Sequence, residues 1–233
     1  MKKIILSLLV AFCGLSASAQ IVSSTSRSVS YTKHEKTTTW YGKVGLNVMN
    51  YVGKGTADGL QAKIGYDLNF GFQKPLGGNG LYWGMEFGLT SRGSKKSTDI
   101  TARGVRSETE LNEMRHAVVF SPFTFGYRKN LVNKLDIDAH VGIYGSCDYT
   151  GKNKLETSVT YGKETEKASA DTKMSDWSDF NRGDVGLKFG VGLWWDRYNL
   201  DFSYRQGFLN VWTPDGADTN LSGNFIVSLG VSF

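Results

Sequence analysis

Residues 60–73 read LQAKIGYDLNFGFQ, and their spacing decides the fold. Leu60, Ala62, Ile64, Tyr66, Leu68, Phe70 and Phe72 alternate without a break against Gln61, Lys63, Gly65, Asp67, Asn69, Gly71 and Gln73. A period of two places one set on each side of a pleated strand, whereas a helix would bring residues three and four apart together. The pattern recurs outward in both directions: Trp40–Tyr51, Leu81–Thr90, Leu135–Tyr144, Asp184–Leu193, Tyr198–Arg205 and Asn224–Phe233 all alternate. His116–Arg128 is an eighth strand in which Pro122 and the mixed Val118-Val119-Phe120 blur the facing.

Connections and glycines separate a membrane barrel from a soluble sandwich, which shows the same alternation. The intervals 74–80, 129–134 and 196–197 are short, while 93–115 and 149–179 are long. Tight turns at one end of a barrel and long loops at the other produce that ordering. The long intervals are rich in Lys, Glu, Ser and Thr and are expected to be mobile, solvated loops. Gly65, Gly71, Gly84, Gly88, Gly142, Gly186, Gly190, Gly192 and Gly230 share the polar face. Glycine weakens a water-facing strand, but inside an eight-stranded ring it leaves room for long polar neighbours. The polar face is therefore expected inside and the apolar face against lipid, since water does not tolerate an apolar band of that extent. Aromatic residues at the short-turn ends, namely Trp40, Tyr41, Phe70, Phe72, Tyr82, Trp83, Phe125, Tyr127, Trp194, Trp195 and Tyr198, are expected to form an interfacial girdle. The fold class expected is all-β, an eight-stranded antiparallel up-and-down transmembrane β-barrel over residues 40–233.

Residues 1–19 read as a secretory signal, with Lys2 and Lys3, an apolar stretch from Ile4 to Leu15, and Ala17-Ser18-Ala19 before the cut. Phe12 before Cys13 argues against a lipoprotein site. Residues 20–39, polar and aperiodic, read as a periplasmic tail. Cys147 is then the one cysteine of the mature chain, and no intrachain disulfide is expected. The 233-residue chain carries a net charge of +5, falling to +3 without Lys2 and Lys3, too little and too scattered to argue for nucleic acid. No apolar run is long enough for a membrane helix.

The end of the chain, FIVSLGVSF, spaces Phe225, Val227, Leu229 and Val231 two apart before a terminal Phe233. It resembles the C-terminal insertion signal of bacterial outer-membrane barrels, which implies the barrel-assembly machinery as a partner. With KVGLNVMNYVG, WGMEFGLTSRG, FSPFTFGYRK, DFNRGDVGLKFGVGLWW and LDFSYRQGF, in that order, most of residues 40–233 is similar to the outer-membrane β-barrel ("porin family") domain common in Bacteroidota. Val119 and Phe120 before Ser121-Pro122 depart from the tyrosine and polar residue often found there. The resemblance implies an outer-membrane location and contact with outer-membrane lipid, and brings no biochemical activity.

Candidate chemistry is sparse. His34 falls in the tail, His116 begins a strand without the spaced serine of barrel lipid deacylases, and His140 lies on the lumen side between Asp138 and Gly142. Asp136, Asp138 and His140 share one strand at wide spacing, so no metal-ligand cluster is expected, nor any cofactor. Cys147 reads as a packing residue. The inward charges form the leading constellation: Lys43, Lys63, Arg92, Arg128, Lys188 and Arg205 against Asp67, Glu86, Asp136, Asp138, Asp184 and Asp201. With His140 they are expected to form a structural network, the alternative being an ion path. Glu86 is expected to pair with Lys63, Lys188 or Arg205. The function expected is non-enzymatic, an envelope or surface-interaction role through the long loops with an unnamed external partner. A small channel for ions or solutes is the alternative, and an integral lipid-modifying enzyme trails for want of a triad.

Overall fold

The computed structural model describes residues 37–54, 59–102, 105–132, 134–161, 164–213 and 219–233. The signal and nearly all of the tail expected before the barrel fall outside the described residues. Ten strands follow in order: β1 Thr39–Val52, β2 Leu60–Pro75, β3 Leu81–Arg92, β4 Ser94–Ala102, β5 Val105–Val132, β6 Leu135–Tyr161, β7 Glu164–Lys173, β8 Gly183–Trp195, β9 Tyr198–Gly207 and β10 Leu221–Ser232. Eight of them close a ring, β1-β2-β3-β5-β6-β8-β9-β10, every neighbour antiparallel. Closure joins the first strand to the last, with Tyr41 opposite Ser232 and Val52 opposite Leu221. A closed ring has no free edge, so backbone donors and acceptors are satisfied between strands where neither water nor side chains would serve them.

Facing follows the period of two. Val44 and Leu46 are 60% exposed and Ile64 and Leu229 are 64% exposed, whereas Asp67 is 0% and Glu86 4% exposed. Apolar side chains form the outer wall and polar ones the interior, the reverse of a soluble core. The strand with blurred facing resolves through a bulge. Phe120 pairs with Gly145 and Phe123 with Ile143, so β5 carries one extra residue at Ser121-Pro122. Ala117, Val119 and Ser121 then point inward, as do Thr124 and Gly126, while Phe120, Phe123, Phe125 and Tyr127 point outward. Proline lacks the ladder donor, and the bulge is where that loss is tolerated.

The tight-turn end is pinned by backbone bonds, Arg128 N–H to Gly80 O at 2.8 Å, Ser232 N–H to Arg197 O at 2.8 Å and Phe233 N–H to Trp40 O at 3.0 Å. Asp196 takes φ of +56° in the two-residue turn between β8 and β9, a conformation aspartate tolerates better than most residues.

At the other end the expected mobile loops are strands. The upper halves of β5 and β6 continue the barrel wall, flanked by β4 and β7, giving a four-stranded sheet in the order β4-β5-β6-β7. Ten residues of extended chain carry it roughly 30 Å beyond the ring. Val105, Thr109, Leu111, Leu155, Thr157 and Val159 supply the branched and apolar side chains a sheet favours, but at a density too low to stand out as alternation. Pairing with neighbouring strands already in register orders them. Three residues expected in the girdle lie elsewhere: Tyr41, Tyr82 and Trp194 are 3–5% exposed and lie inside the ring. They fall on the inward parity of their strands, where their polar atoms find partners.

Candidate functional site

The interior is a column of ion pairs held on seven of the eight ring strands. Nearest the tight turns, Arg128 lies 4.0 Å from the ring centre of Trp194 and 5.5 Å from that of Tyr82. It reaches Asp138 at 3.5 Å and donates to Gln73 Oε1. Asp138 also accepts from Tyr82 Oη at 2.7 Å and from Trp194 Nε1 at 3.3 Å. Above this aromatic floor, Lys43 lies 3.4 Å from both Glu86 and Asp201, and Lys188 donates to Glu86. Arg205 grips Asp67 at 2.7 and 3.3 Å and reaches Asn69 at 3.2 Å.

Toward the long hairpins, Arg92 meets Asp148 at 3.0 Å and Asp184 at 3.8 Å. Arg115 meets Asp148 at 2.7 Å and Glu113 at 2.6 Å. Tyr51 Oη donates to Glu113 at 2.8 Å and accepts from Arg115 at 3.0 Å. Tyr144 and Ser222 donate to Asp184 at 3.0 and 2.5 Å. An apolar lid of Met49, Tyr51 and Val211 packs with Leu60, Phe180 and Trp212 over these pairs. The Arg115 guanidinium lies 5.2 Å from the Phe180 ring centre, and Trp177 packs edge-to-face on Phe180 and tilted against Trp212.

Asp67, Glu86, Asp138, His140, Asp184, Lys188, Asp201 and Arg205 are brought together inside the ring, and Lys63 and Asp136 are not. Ala62 pairs with Ser94 while Asp67 pairs with Thr90, which leaves one extra residue in β2 relative to β3 and β4, but Lys63 keeps its unbroken register with β1 and lies far along the strand from Gly71, which stands opposite Glu86. Lys63 is half-buried and donates to Asn112 Oδ1 and, at 3.5 Å, to Glu113 O. Glu86 therefore pairs with Lys188 and Lys43, not with Lys63. Asp136 sits opposite Trp194 at the rim and accepts from Asn130 at 2.7 Å. Glu113, Arg115 and Asp148 enter the network from outside the expected set. A loop over 93–115 conceals the first two. The available signal was Glu113-x-Arg115 continuing the inward parity of Ala117 and Val119.

Lumen glycines serve the close approach expected of them. A Cβ on Gly190 would stand 2.8 Å from His140 Nε2, and one on Gly192 would collide with Asp138. His140 is buried between two carboxylates, Nδ1 at 3.6 Å from Asp138 and Nε2 at 3.7 Å from Asp201. The three residues offer ligand atoms within 4.8 Å of one another, a grouping hidden when Asp136, Asp138 and His140 are read along one strand. The two ring nitrogens address different carboxylates, however, and Lys43 already brings positive charge to Asp201, so the imidazole bridges two carboxylates of the network. His116 accepts or donates to Tyr66 Oη at 3.1 Å. Neither described histidine is bonded to a serine hydroxyl or a thiol among the described residues.

A closed eight-stranded ring with an apolar outer wall and a charged, self-paired interior defines a transmembrane β-barrel. A family model described as outer membrane protein beta-barrel domain matches residues 18–212, and the chain belongs to that family. Among solved structures it is similar to Neisserial surface protein A, at 11% identity and TM-score 0.37 over 83% of this chain and 97% of that one. It is likewise similar to the N-terminal β-barrel domain of Pseudomonas aeruginosa OprF, at 6% identity and TM-score 0.33 over 83% of this chain and 97% of that one. No curated protein matches the chain in sequence.

Proposed function

We propose that this chain is a non-enzymatic outer-membrane barrel that does not conduct and that displays the β4-β7 sheet to partners outside the cell. The observation that carries the reading is an interior filled by paired charges and capped at both mouths, beneath a sheet one face of which exposes Ile100, Leu111, Leu155 and Tyr161 among polar neighbours. Tight turns face the periplasm in such barrels, which supports long hairpins that face outward. On this reading residues 1–19 are a removed signal, 20–39 a periplasmic tail, and Phe225, Val227, Leu229, Val231 and Phe233 the strand offered to the assembly machinery.

The exposed face of the sheet continues the inward parity of the barrel. Its rows run Lys96·Leu111·Leu155·Ala170, Thr98·Thr109·Thr157·Ala168, Ile100·Ser107·Val159·Glu166 and Ala102·Val105·Tyr161·Glu164. Ile100 and Tyr161 are more than half exposed. Apolar side chains on a rigid scaffold in water are a recognised mark of an interaction surface.

Two measurements test this. Purified protein in planar bilayers is expected to show no steady conductance, and cells carrying Leu155→Lys with Ile100→Lys are expected to lose attachment to surfaces or other cells while keeping barrel levels. A reproducible channel whose selectivity changes with Glu86→Lys replaces this reading with that of a small pore.

A further inference from the structure

The opposite, outward face of the sheet is charged, and its charge is sorted by height. Outward side chains near the top of the apolar wall end in an aromatic group, Tyr66 stacked on His116 at 5.7 Å with Tyr149 at 6.3 Å. The next outward row is Met114·Lys152·Lys173, and the one above it Gln61·Lys95·Asn112·Lys154·Asp171, with Lys63 bonded to Asn112. Those rows hold four lysines and one carboxylate. The two rows beyond, Ser97·Glu110·Glu156·Ser169 and Asp99·Glu108·Ser158·Lys167, hold four carboxylates and one lysine.

Within the basic rows, Lys95 is paired with Glu110 at 2.9 Å and Lys154 with Glu156 at 2.5 Å. The hydrogen bond from Lys154 holds the Glu156 carboxyl below its ordinary range. Lys152 and Lys173 differ: they stand directly opposite each other on β6 and β7, both exposed, with no carboxylate partner within ion-pair distance among the described residues. Like charges at directly opposed strand positions destabilise a sheet. They are also one row above the aromatic residues that mark the membrane interface.

We infer that Lys152 and Lys173 form a docking site for the phosphate of a phosphorylated glycolipid of the outer leaflet. The acyl chains of such a lipid lie along the adjoining apolar wall, so the surface is continuous with one that already meets lipid. The ammonium pair supplies the complementary charge where the headgroup emerges. This rests on the long hairpins facing outward, but the binding itself can be measured without a membrane.

The test uses the full barrel in a neutral detergent, titrated with bisphosphorylated lipid A, with the same lipid after enzymatic dephosphorylation, and with inorganic phosphate. Retention is read by native mass spectrometry and by the shift in thermal unfolding. Each lysine near a lipid surface contributes enough that removing two is expected to weaken retention about 30-fold. Wild type should therefore hold the phosphorylated lipid, while Lys152→Gln with Lys173→Gln holds it about 30-fold less well and Lys167→Gln, two rows higher, is unchanged. Equal retention of the dephosphorylated lipid, an unaltered double variant, or equal affinity for inorganic phosphate overturns the inference. Lipid binding with the sheet shown to face the periplasm leaves the docking chemistry standing and removes the orientation of the proposed function.

Discussion

Glu86→Ala tests the interior most directly. Glu86 is 4% exposed and serves two ammonium groups, accepting from Lys188 and lying 3.4 Å from Lys43. At that distance, with an effective dielectric constant of about 20, the gross attraction to Lys43 is about 5 kcal/mol, most of it cancelled by the cost of desolvating both groups. Removal of the carboxylate leaves the ammonium groups' share of that cost in place. Lys43 keeps Asp201, whereas Lys188 loses the carboxylate that it contacts. The expected loss is about 3–5 kcal/mol, the penalty for stranding one partner of a buried pair. Removing both charges in Glu86→Met with Lys188→Met should recover most of it, because an apolar pair of similar volume carries no desolvation cost. Equilibrium urea unfolding from lipid vesicles, followed by the emission of the six tryptophans, measures both variants. A loss below about 1 kcal/mol for Glu86→Ala, or a double variant no more stable than the single, refutes the argument that paired charge fills the lumen.

Asp148→Ala leaves Arg92 and Arg115 facing each other without their shared acceptor, and is expected to cost at least about 3 kcal/mol and to sensitise the base of the β4-β7 sheet to protease. Leu229→Arg, on a residue 64% exposed to lipid, should cost about 2–4 kcal/mol. Spin labels there should report lipid, and labels at Ser228 should report a packed polar site; the swapped pattern sinks the assignment of faces. Deleting Phe233 removes the backbone bond to Trp40 and the ring stacked at 6.0 Å on Phe70. It is expected to lower outer-membrane levels in cells more than folding in detergent, and normal levels of a chain ending at Ser232 contradict the insertion-signal reading.

Alternation along residues 60–73 and its repeats determined the eight ring strands and, with the lumen glycines, which face meets lipid. Those properties depend on parity, which a linear sequence carries directly. Parity fails wherever a strand gains a residue. The bulge at Ser121-Pro122 and the extra residue of β2 between Ala62 and Asp67 set pairings that only the assembled sheet could define. Tertiary structure also decided the β4-β7 sheet, since Val105–Asn112 and Leu155–Tyr161 lack a continuous apolar face and become strands because a neighbouring strand delivers them in register. The same holds for the pairing inside the ring. The sequence lists carboxylates and cations of one parity, but which of them touch depends on ring closure, which sets Arg205 beside Asp67 across 138 residues and Lys188 beside Glu86 across 102.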